Sequence, residues 1–453
     1  MTSSIDELLR GELLGRSFDC ACGRRHHVPT RVVDTEPGAI GRVPAILGEV
    51  VEATSALVVA DRRTWRAAGE RVHAGLRPVM AADRVLLEDG ADGQLHASVE
   101  SVDNLEAATA GTYDLYVAVG SGTINDITKE LARRRARPYL VVATAASMNG
   151  YTSSIVALLD RGLKTTAPAT PPLAVIADPE VLAAAPLDLT LAGLGDLVSK
   201  PCCGCDWWIS SLLRGEAFCP QPQRILGKAF DSSLAVFPRL ADRDPEAVVL
   251  LAKLLIVSGI TMTIAGSSSP ASGGEHLLSH YWDMTRSRDG RPLNLHGAQV
   301  GVASLAVDAL YARILDTDFG RARFERDPGV GAEQELSDAF GSLAGAVWPQ
   351  WHAKLARRSE RDLELLQAHE TAIKAEIAAV LASGRKVRAA LAGSGAPMWA
   401  ADLGITQAEL AAALRHGRKI RDRFTVLDVA AELGLLEAFA ADYPDRKEGR
   451  LES

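Results

Sequence analysis

The sequence contains a glycine turn whose residue types suit a phosphate group. An apolar run, Tyr113–Val119, ends at this turn, and helical spacing of apolar residues begins near Ile124. Such a turn leaves backbone N–H groups exposed at a helix N-terminus, where anions bind. The sequence therefore predicts that Gly120, Ser121 and Gly122 hold a phosphate, and we interpret the group as the pyrophosphate of a dinucleotide.

The turn departs from the dinucleotide-binding fingerprint Gly-x-Gly-x-x-Gly, because Asn125 stands at the third glycine position. The fingerprint also places an acid about 20 residues after the glycines, whereas Asp61 precedes them, at the end of an earlier apolar run. We expect Asp61 to contact the adenosine ribose; the alternative is that it only caps a helix. Asp126 and Lys129, in the first turns of the helix after the glycines, are expected to serve the same site.

A run of small and hydroxyl-bearing residues, Thr144–Ser153, follows the next predicted strand. Ligands of parallel sheets bind outside the carboxyl ends of strands. We therefore predict a binding loop here, with a plain connector as the alternative. Its candidate contacts are Thr144, Ser147, Asn149 and Ser153.

Three residues far downstream, Asp196, His276 and His296, could bind a catalytic metal ion. Such an ion takes three protein ligands of the nitrogen or oxygen type and keeps one position open for substrate. His280 shares a helix face with His276, but the order Glu-His-x-x-x-His is not the zincin motif. Each residue is common in structural roles, so the spacing alone leaves a metal site and a chance arrangement both open.

The elements that must position these residues change character along the chain. Apolar strands alternate with helices up to Pro186, which predicts a Rossmann-like parallel α/β domain over residues 1–186. Beyond it, apolar residues recur at helical spacing, which predicts an all-helical domain over 187–453, with the active site in the cleft between the domains. The predicted strands are Ala56–Asp61, Asp83–Leu87, Tyr113–Val119, Pro138–Thr144 and Leu173–Asp178. The predicted helices include Arg62–Ala74, Ala247–Ile264, Val300–Leu315 and Asp362–Ala390.

Composition excludes several classes of protein. Hydrophobic residues make up 47% and charged residues 23% of the 453 positions, as in ordinary globular enzymes. The net charge of -8 argues against a nucleic-acid partner. No run of eighteen consecutive apolar residues occurs, so no membrane span is expected. The polar, acidic start lacks the apolar core of a signal peptide, and we expect a cytoplasmic protein.

The six cysteines should be reduced thiols in that compartment. Cys20 and Cys22, followed by His26 and His27, lie in a predicted N-terminal hairpin over about 17–35 and could bind a structural zinc ion. Four ligands at a standard spacing are not present, so the alternative is simply reduced cysteines in a hairpin and a helix.

These segments resemble the metal-dependent glycerol-1-phosphate dehydrogenases, in particular the bacterial branch often encoded with arabinose genes, within the iron-containing alcohol dehydrogenase and dehydroquinate synthase superfamily. The resemblance spans nearly the whole chain. It is carried by Gly120–Lys129, Ser147–Ser154, Gly195–Asp196, Ser269–His276, His296–Gly301 and Ile420–Asp428. It implies metal ligation by Asp196, His276 and His296, and nicotinamide or ribose contacts from Thr144 and Ser147.

Two departures from the family pattern bear on the substrate. Asn149 stands where the family usually has aspartate, in the loop expected to meet substrate hydroxyls, and it lacks the charge of a carboxylate. The segment Lys200–Cys205 replaces a more ordinary helical stretch, and Pro201 is expected to disturb that helix.

The resemblance implies hydride transfer between sn-glycerol 1-phosphate and dihydroxyacetone phosphate, with NAD or NADP and one zinc, nickel or iron ion. His280 would relay a proton or support His276. Asp61 favours NAD, because its charge would repel a 2′-phosphate. The alternatives are another phosphorylated or phosphonate polyol or ketone, or a lyase of the dehydroquinate-synthase type. The expected partners are a small phosphorylated substrate, contacted by Asn149 and Lys129, and a second copy of the chain.

Overall fold

The structure, a computed structural model, describes residues 5–90, 93–109, 111–323 and 331–444. All of its strands precede Ala177. In chain order they are β1 (Ser17–Asp19), β2 (Arg25–His27), β3 (Val32–Asp34), β4 (Ser55–Asp61), β5 (Ala81–Leu87), β6 (Leu115–Gly120), β7 (Tyr139–Ala143), β8 (Ile155–Asp160), β9 (Leu163–Pro168) and β10 (Ala174–Ile176).

Six of these strands form a sheet in the order β3-β10-β7-β6-β4-β5. Every neighbouring pair in it is parallel. Strands β6 and β7 are buried at every residue, which explains their unbroken apolar sequences, since helices cover both faces of a parallel sheet. The predicted parallel α/β fold is confirmed. The remaining strands form two antiparallel hairpins, β1-β2 and β8-β9.

The sheet has a topological switch point at β4. The chain passes from β4 to its neighbour β5 on one side, and then crosses to β6 on the other side. Ligands of open parallel sheets bind at such a reversal, outside the carboxyl ends of the strands. The switch point therefore lies where Asp61 ends β4 and Gly120 ends β6.

Helices make up the rest of the regular structure. In chain order the α-helices are α1 (Ile5–Glu7), α2 (Val43–Val50), α3 (Arg62–Thr64), α4 (Glu70–Leu76), α5 (Val99–Ala108), α6 (Gly122–Arg134), α7 (Pro179–Ala184), α8 (Leu187–Val198), α9 (Lys200–Arg214), α10 (Gln221–Ser233), α11 (Pro245–Ala265), α12 (Gly274–Arg288), α13 (His296–Leu315), α14 (Ala332–Phe340), α15 (Ala344–Arg357), α16 (Glu360–Ala368), α17 (Glu370–Ser394), α18 (Gln407–His416), α19 (Val426–Glu432) and α20 (Leu436–Asp442). Among the described residues after Pro186, no strand occurs, as the change of sequence pattern predicts.

The chain divides into two units. The first comprises Met1–Leu197 and Cys219–Ser268, and the second comprises Val198–Phe218 and Ser269–Ser453. The sequence predicts instead that each domain is one continuous stretch of chain, divided at Pro186, and this division stays a prediction. Two segments of the predicted helical domain, 324–330 and 445–453, lie outside the described residues.

One expectation about helices agrees with the structure and one is wrong in detail. Helical structure is interrupted at Ser199, because α8 ends at Val198 and α9 begins at Lys200 with Pro201 in its first turn, so the stretch after Asp196 is divided directly before the proline. The single helix expected over Asp362–Ala390 is two helices, separated at His369, whose backbone leaves helical geometry at φ -108° and ψ 14°.

Two helices of the described chain, α11 and α13, are long and apolar enough to cross a membrane by length and composition alone. In their most apolar windows, 78% and 72% of the residues are buried inside the protein. Burial within the units accounts for their apolar character, because a helix that is apolar all round suits a protein core.

Candidate active site

Three predicted nucleotide-site residues lie at one edge of the parallel sheet. Asp61 ends β4, Gly120 ends β6, and Thr144 directly follows β7; these are three adjacent strands. The Thr144 N–H donates a 3.1 Å hydrogen bond to the carbonyl of Gly120, which joins the two strand ends. The structure thus brings together residues that are far apart in sequence.

The glycine turn has no room for a larger side chain at Gly120 and little room for one at Gly122. A Cβ atom on Gly120 would lie 2.5 Å from the Cβ of Ile124, which is buried in α6. A Cβ on Gly122 would lie 3.1 Å from Cγ of Met148. Helix α6 begins at Gly122, directly after Ser121, so its first N–H groups stand beside the turn. This is the close backbone cradle that a pyrophosphate requires.

Asp61 is the N-cap of α3, so the capping role considered from the sequence is present. One carboxylate oxygen, Oδ1, accepts a 2.7 Å hydrogen bond from the Thr64 N–H, and Thr64 Oγ1 accepts one from the Asp61 N–H. The other oxygen, Oδ2, lies 3.8 Å from Nε of Arg63. Capping uses only one oxygen, and contact with a ribose stays a prediction.

Lys129 holds the predicted binding loop in place through hydrogen bonds from its buried side chain. Its side chain is fully buried, and Nζ donates to the carbonyls of Gly150 and Ile155 and to Oγ of Ser153, at 2.8, 3.2 and 3.1 Å. Burial lowers the pKa of Lys129 to about 8, although the nearby carboxylate of Asp126 acts in the opposite direction. These contacts assign Lys129 to positioning the loop, and its direct contact with substrate stays a prediction.

Burial raises the pKa of Asp126, the other acidic candidate on α6. Its Oδ1 accepts a 3.0 Å hydrogen bond from the amide of Asn125 and lies 3.8 Å from Nζ of Lys129. The Ala157 N–H of β8 also hydrogen-bonds to this carboxyl group. Asp126 thus has partners in the β8-β9 hairpin.

Asn149 orients the carboxylate of Asp196. Its backbone N–H donates to Oδ2 and its side-chain amide donates to Oδ1, both at 2.8 Å. Asp196 lies on α8 and is buried, as is Asn149. Since each oxygen has two lone pairs, the clamp leaves both able to face a cation. An aspartate at position 149 could not supply the amide donor, which gives this departure from the family pattern a physical role.

His276, near the start of α12, is held by the carboxylate beside it. Its Nδ1 lies 2.7 Å from Oε1 of Glu275, and the same oxygen accepts from the Gly273 N–H at 2.8 Å and from the Cys203 thiol at 2.9 Å. Burial would raise the pKa of Glu275, but these hydrogen bonds outweigh it and lower the pKa to about 2. With Nδ1 donating to Glu275, the lone pair of His276 is on Nε2.

His296, the first residue of α13, has an equivalent support. Its Nδ1 lies 3.0 Å from Oγ of Ser279, and that hydroxyl donates to Oε1 of Gln299 at 2.7 Å. The serine oxygen therefore accepts from Nδ1, which again leaves the histidine lone pair on Nε2. Such partners fix the tautomer and orientation of histidine ligands in metal sites.

Three histidines of the second unit, His276, His280 and His296, form one cluster. The ring centroids of His276 and His296 are 5.2 Å apart. His280, one turn after His276 on α12, stacks on His296 with ring centroids 5.9 Å apart and ring planes inclined by 18°. Its ring centroid lies 6.2 Å from that of His276. The helical spacing recognised in the sequence thus places His280 beside both candidate ligands.

The cysteine-rich helix α9 supports the start of α12. Cys203 donates its thiol to Glu275, and Oδ2 of Asp206 accepts a 2.7 Å hydrogen bond from the Gly274 N–H. Burial raises the pKa of Asp206 to about 7. Sequence reasoning missed Asp206, Glu275 and Ser279. An acid beside a candidate ligand and a serine three residues after it, on the same helix, were the available signals for the last two.

The residues present fit a divalent cation. The imidazoles of His276 and His296, in the second unit, each carry their lone pair on Nε2. The carboxylate of Asp196, in the first unit, is oriented by two hydrogen-bond donors of Asn149. These are ligand types that zinc, nickel and iron accept. Joint ligation of one ion by Asp196, His276 and His296 stays a prediction.

Comparisons with known proteins show which family the chain resembles. Residues 34–186 match the model of the iron-containing alcohol dehydrogenase family. A protein of Bacillus licheniformis named glycerol-1-phosphate dehydrogenase [NAD(P)+] is 33% identical over 342 residues, 74% of this chain and 82% of the relative. A protein of Bacillus velezensis with the same name is 30% identical over 384 residues, 84% and 86% of the two chains.

A solved structure supports the fold. The glycerol dehydrogenase of Schizosaccharomyces pombe matches with a TM-score of 0.57 and 16% identity, over 90% of this chain and 89% of that one. At this identity the match shows the fold alone, whereas the bacterial relatives show the family. The chain is therefore an oxidoreductase that belongs to the glycerol-1-phosphate dehydrogenase family of the iron-containing alcohol dehydrogenases.

Proposed function

We propose that this enzyme interconverts sn-glycerol 1-phosphate and dihydroxyacetone phosphate, using NAD or NADP and one divalent metal ion. Metal dependence is supported by one observation: the imidazoles of His276 and His296 each hydrogen-bond through Nδ1 to a buried side chain. The names of the bacterial relatives support the substrate pair and the nucleotide.

A divalent ion bound by Asp196, His276 and His296 would act as a Lewis acid toward the C2 oxygen of the substrate. Glu275 and Ser279 keep the two imidazoles in the tautomer that can ligate, and Asn149 holds the carboxylate in position. The cradle around Gly120 would bind the pyrophosphate, which places the nicotinamide for hydride transfer. Thr144 and Ser147 would then lie near the nicotinamide and its ribose, and Ser153 shapes the loop through Lys129.

His280 would move a proton between solvent and the substrate oxygen. It stacks on His296 and lies one helical turn from His276. Imidazole exchanges protons near neutral pH, which suits it to this role. Support of His276 by His280 is the other role considered from the sequence.

We further propose NAD as the preferred nucleotide, because the carboxylate of Asp61 would repel the 2′-phosphate of NADP. We propose that the enzyme acts in the cytoplasm as a homodimer. The burial of α11 and α13, two long apolar helices, inside the protein supports a form that is not embedded in a membrane.

The replacement His276→Ala tests the proposal, with His352→Ala, an exposed histidine on α15, as the matched control. We expect His276→Ala to lose turnover of dihydroxyacetone phosphate and the bound catalytic metal, while NADH binding persists. Elemental analysis, NADH absorbance and NADH fluorescence measure the three quantities. Full activity of His276→Ala in protein without the catalytic metal would refute the proposal.

A second candidate is the same chemistry on another phosphorylated or phosphonate ketone. Asn149 favours it, since the family usually has an aspartate in the loop that meets substrate hydroxyls. Asn149→Asp distinguishes the two, because the clamp on Asp196 predicts a fall of about 10- to 100-fold in activity on dihydroxyacetone phosphate if that is the substrate. A gain in this activity would favour the alternative.

A further inference from the structure

We propose that Cys20, Cys22, His26 and Cys219 form a structural zinc site. The four residues come from the β1-β2 hairpin and from the residue two positions before α10, and all belong to the first unit. One ligand atom from each lies within 4.8 Å of the others. This site has no residue in common with the candidate active site.

The distances match the edges of a zinc tetrahedron. The Sγ atoms of Cys20 and Cys219 are 3.7 Å apart, and Nε2 of His26 lies 3.3 Å from Sγ of Cys22 and 3.6 Å from Sγ of Cys219. Tetrahedral bonds of about 2.3 Å to sulfur and 2.0 Å to nitrogen give edges of about 3.8 Å between sulfurs and about 3.5 Å between sulfur and nitrogen. A disulfide would need about 2.05 Å, and all four described atoms belong to free thiols or imidazole.

The hairpin has the backbone of a metal-binding knuckle. The Cys20 N–H donates to the Arg24 carbonyl at 3.0 Å, and the Gly23 N–H donates to the Cys20 carbonyl at 2.9 Å. Gly23 has φ +81°, a conformation that favours glycine. The turn directs Cys20 and Cys22 toward His26, which β2 places opposite Phe18 of β1.

Backbone donors also point at two of the sulfurs. The Arg24 N–H hydrogen-bonds to Sγ of Cys22, and the Gln221 N–H, at the start of α10, hydrogen-bonds to Sγ of Cys219. Such donors stabilise thiolates, which are the form of cysteine that ligates a metal. Helix α10 therefore contributes to the site through its N-terminal N–H as well as through Cys219.

The chemistry of the four ligands indicates which metal the site would bind and that its role is structural. Three sulfurs and one imidazole in tetrahedral array suit zinc, whereas the oxygen-containing set proposed for catalysis suits several divalent ions. Four protein ligands leave no position for substrate, so the site is structural. Cys219 is fully buried and His26 is 6% exposed, which encloses one side of the site.

The zinc would attach the N-terminal hairpin to a part of the first unit that is distant in sequence. Cys20 and Cys219 are separated by 199 positions. The guanidinium of Arg24 reaches the carbonyl of Ala265 at the end of α11, at 3.4 Å, and adds a second contact to the same region. Metal binding that links such segments contributes directly to folding free energy.

His26→Ala and Cys219→Ser test the site, with His27→Ala as the matched control. His27 lies next to His26 but is exposed, and its Nδ1 bonds to Oγ of Ser17. After dialysis against a chelator, we expect about one equivalent of zinc in the wild type, in His27→Ala and in His276→Ala. His26→Ala and Cys219→Ser should lose it. Failure of the proposed catalytic function would leave this pattern unchanged, since His276→Ala separates the two metals.

Cobalt substitution of the full-length wild type provides a readout that needs no variant to fold. Three thiolate ligands should give strong sulfur-to-cobalt charge-transfer absorption together with the bands of tetrahedral cobalt. Absence of this absorption would overturn the proposal. Zinc that remains in Cys219→Ser, or a Cys20–Cys219 disulfide in the freshly purified wild type, would also overturn it.

Discussion

At the scale of single residues, the groups that hold the candidate ligands are as informative as the ligands. Asn149 directs two donors at Asp196, Glu275 accepts from His276, and Ser279 accepts from His296. Each interaction holds the candidate ligand in one orientation, whereas a side chain without such support would sample several. The sequence motifs predicted the ligands, but only their surroundings explain how they would be presented to a metal.

Glu275→Gln tests this support. The glutamine keeps the size of the side chain but removes the negative charge that stabilises His276, so we expect catalytic-metal affinity to fall about 10- to 100-fold. Titration with metal, after the catalytic metal has been removed from the protein, measures the change. Glu432→Gln, a buried carboxylate paired with Arg358 in the same unit, is the control and should bind metal normally. Equal affinity in both variants would contradict the role of Glu275.

Lys129 gives a residue-scale prediction about pH. Burial lowers its folded-state pKa to about 8, against an ordinary value of 10.5 for lysine. Between these pH values the unfolded chain holds a proton that the folded chain has released, so stability rises with pH. Relative to Lys129→Met, the wild type should gain up to about 1.4 kcal/mol of unfolding free energy per pH unit in this window. Parallel stability curves in urea from pH 7 to 10 would contradict the assignment.

At the scale of elements, α12 collects the chemistry of the second unit. Spacings of three and four residues place Glu275, His276, Ser279 and His280 on successive turns at its N-terminal end. Helix α9 holds that end through Cys203 and Asp206. The cysteine-rich departure from the family pattern is thus part of the support of the histidine cluster.

The turn between β6 and α6 is the corresponding element of the first unit. In Gly120→Ala the new Cβ would collide with Ile124, whose Cβ is 2.5 Å away on the helix that must begin here. We expect the affinity for NADH to fall by at least about tenfold, equivalent to about 1.4 kcal/mol, as measured by NADH fluorescence.

Gly48→Ala is the control for this variant, since an added Cβ on this exposed residue of α2 meets no atom within 4 Å. It should bind NADH like the wild type. Wild-type affinity in Gly120→Ala would show that the turn does not cradle the nucleotide.

At the scale of the whole molecule, the sequence predicts long apolar elements well and distant partners poorly. Strands β4, β6 and β7 were predicted within two residues at each end, because an unbroken apolar run can be buried on both faces. The three-residue β3 and the β8-β9 hairpin were not predicted. They are too short, or too mixed in polarity, to show a period.

The cysteine cluster shows the same limit. The predicted hairpin with Cys20, Cys22 and His26 is present. From the sequence, the other residue suggested as a zinc ligand was His27, which follows His26. The fold instead supplies Cys219, 199 positions after Cys20. Local spacing cannot reveal a partner that only the tertiary structure brings near.

The most direct measurement of the central claim is metal add-back to the full-length enzyme. A chelator would remove the catalytic ion, and NADH oxidation with dihydroxyacetone phosphate would be followed as zinc, nickel or iron is returned. We expect negligible turnover in the stripped enzyme and recovery that saturates at about one equivalent of the active metal. Full turnover in the stripped enzyme would contradict the account.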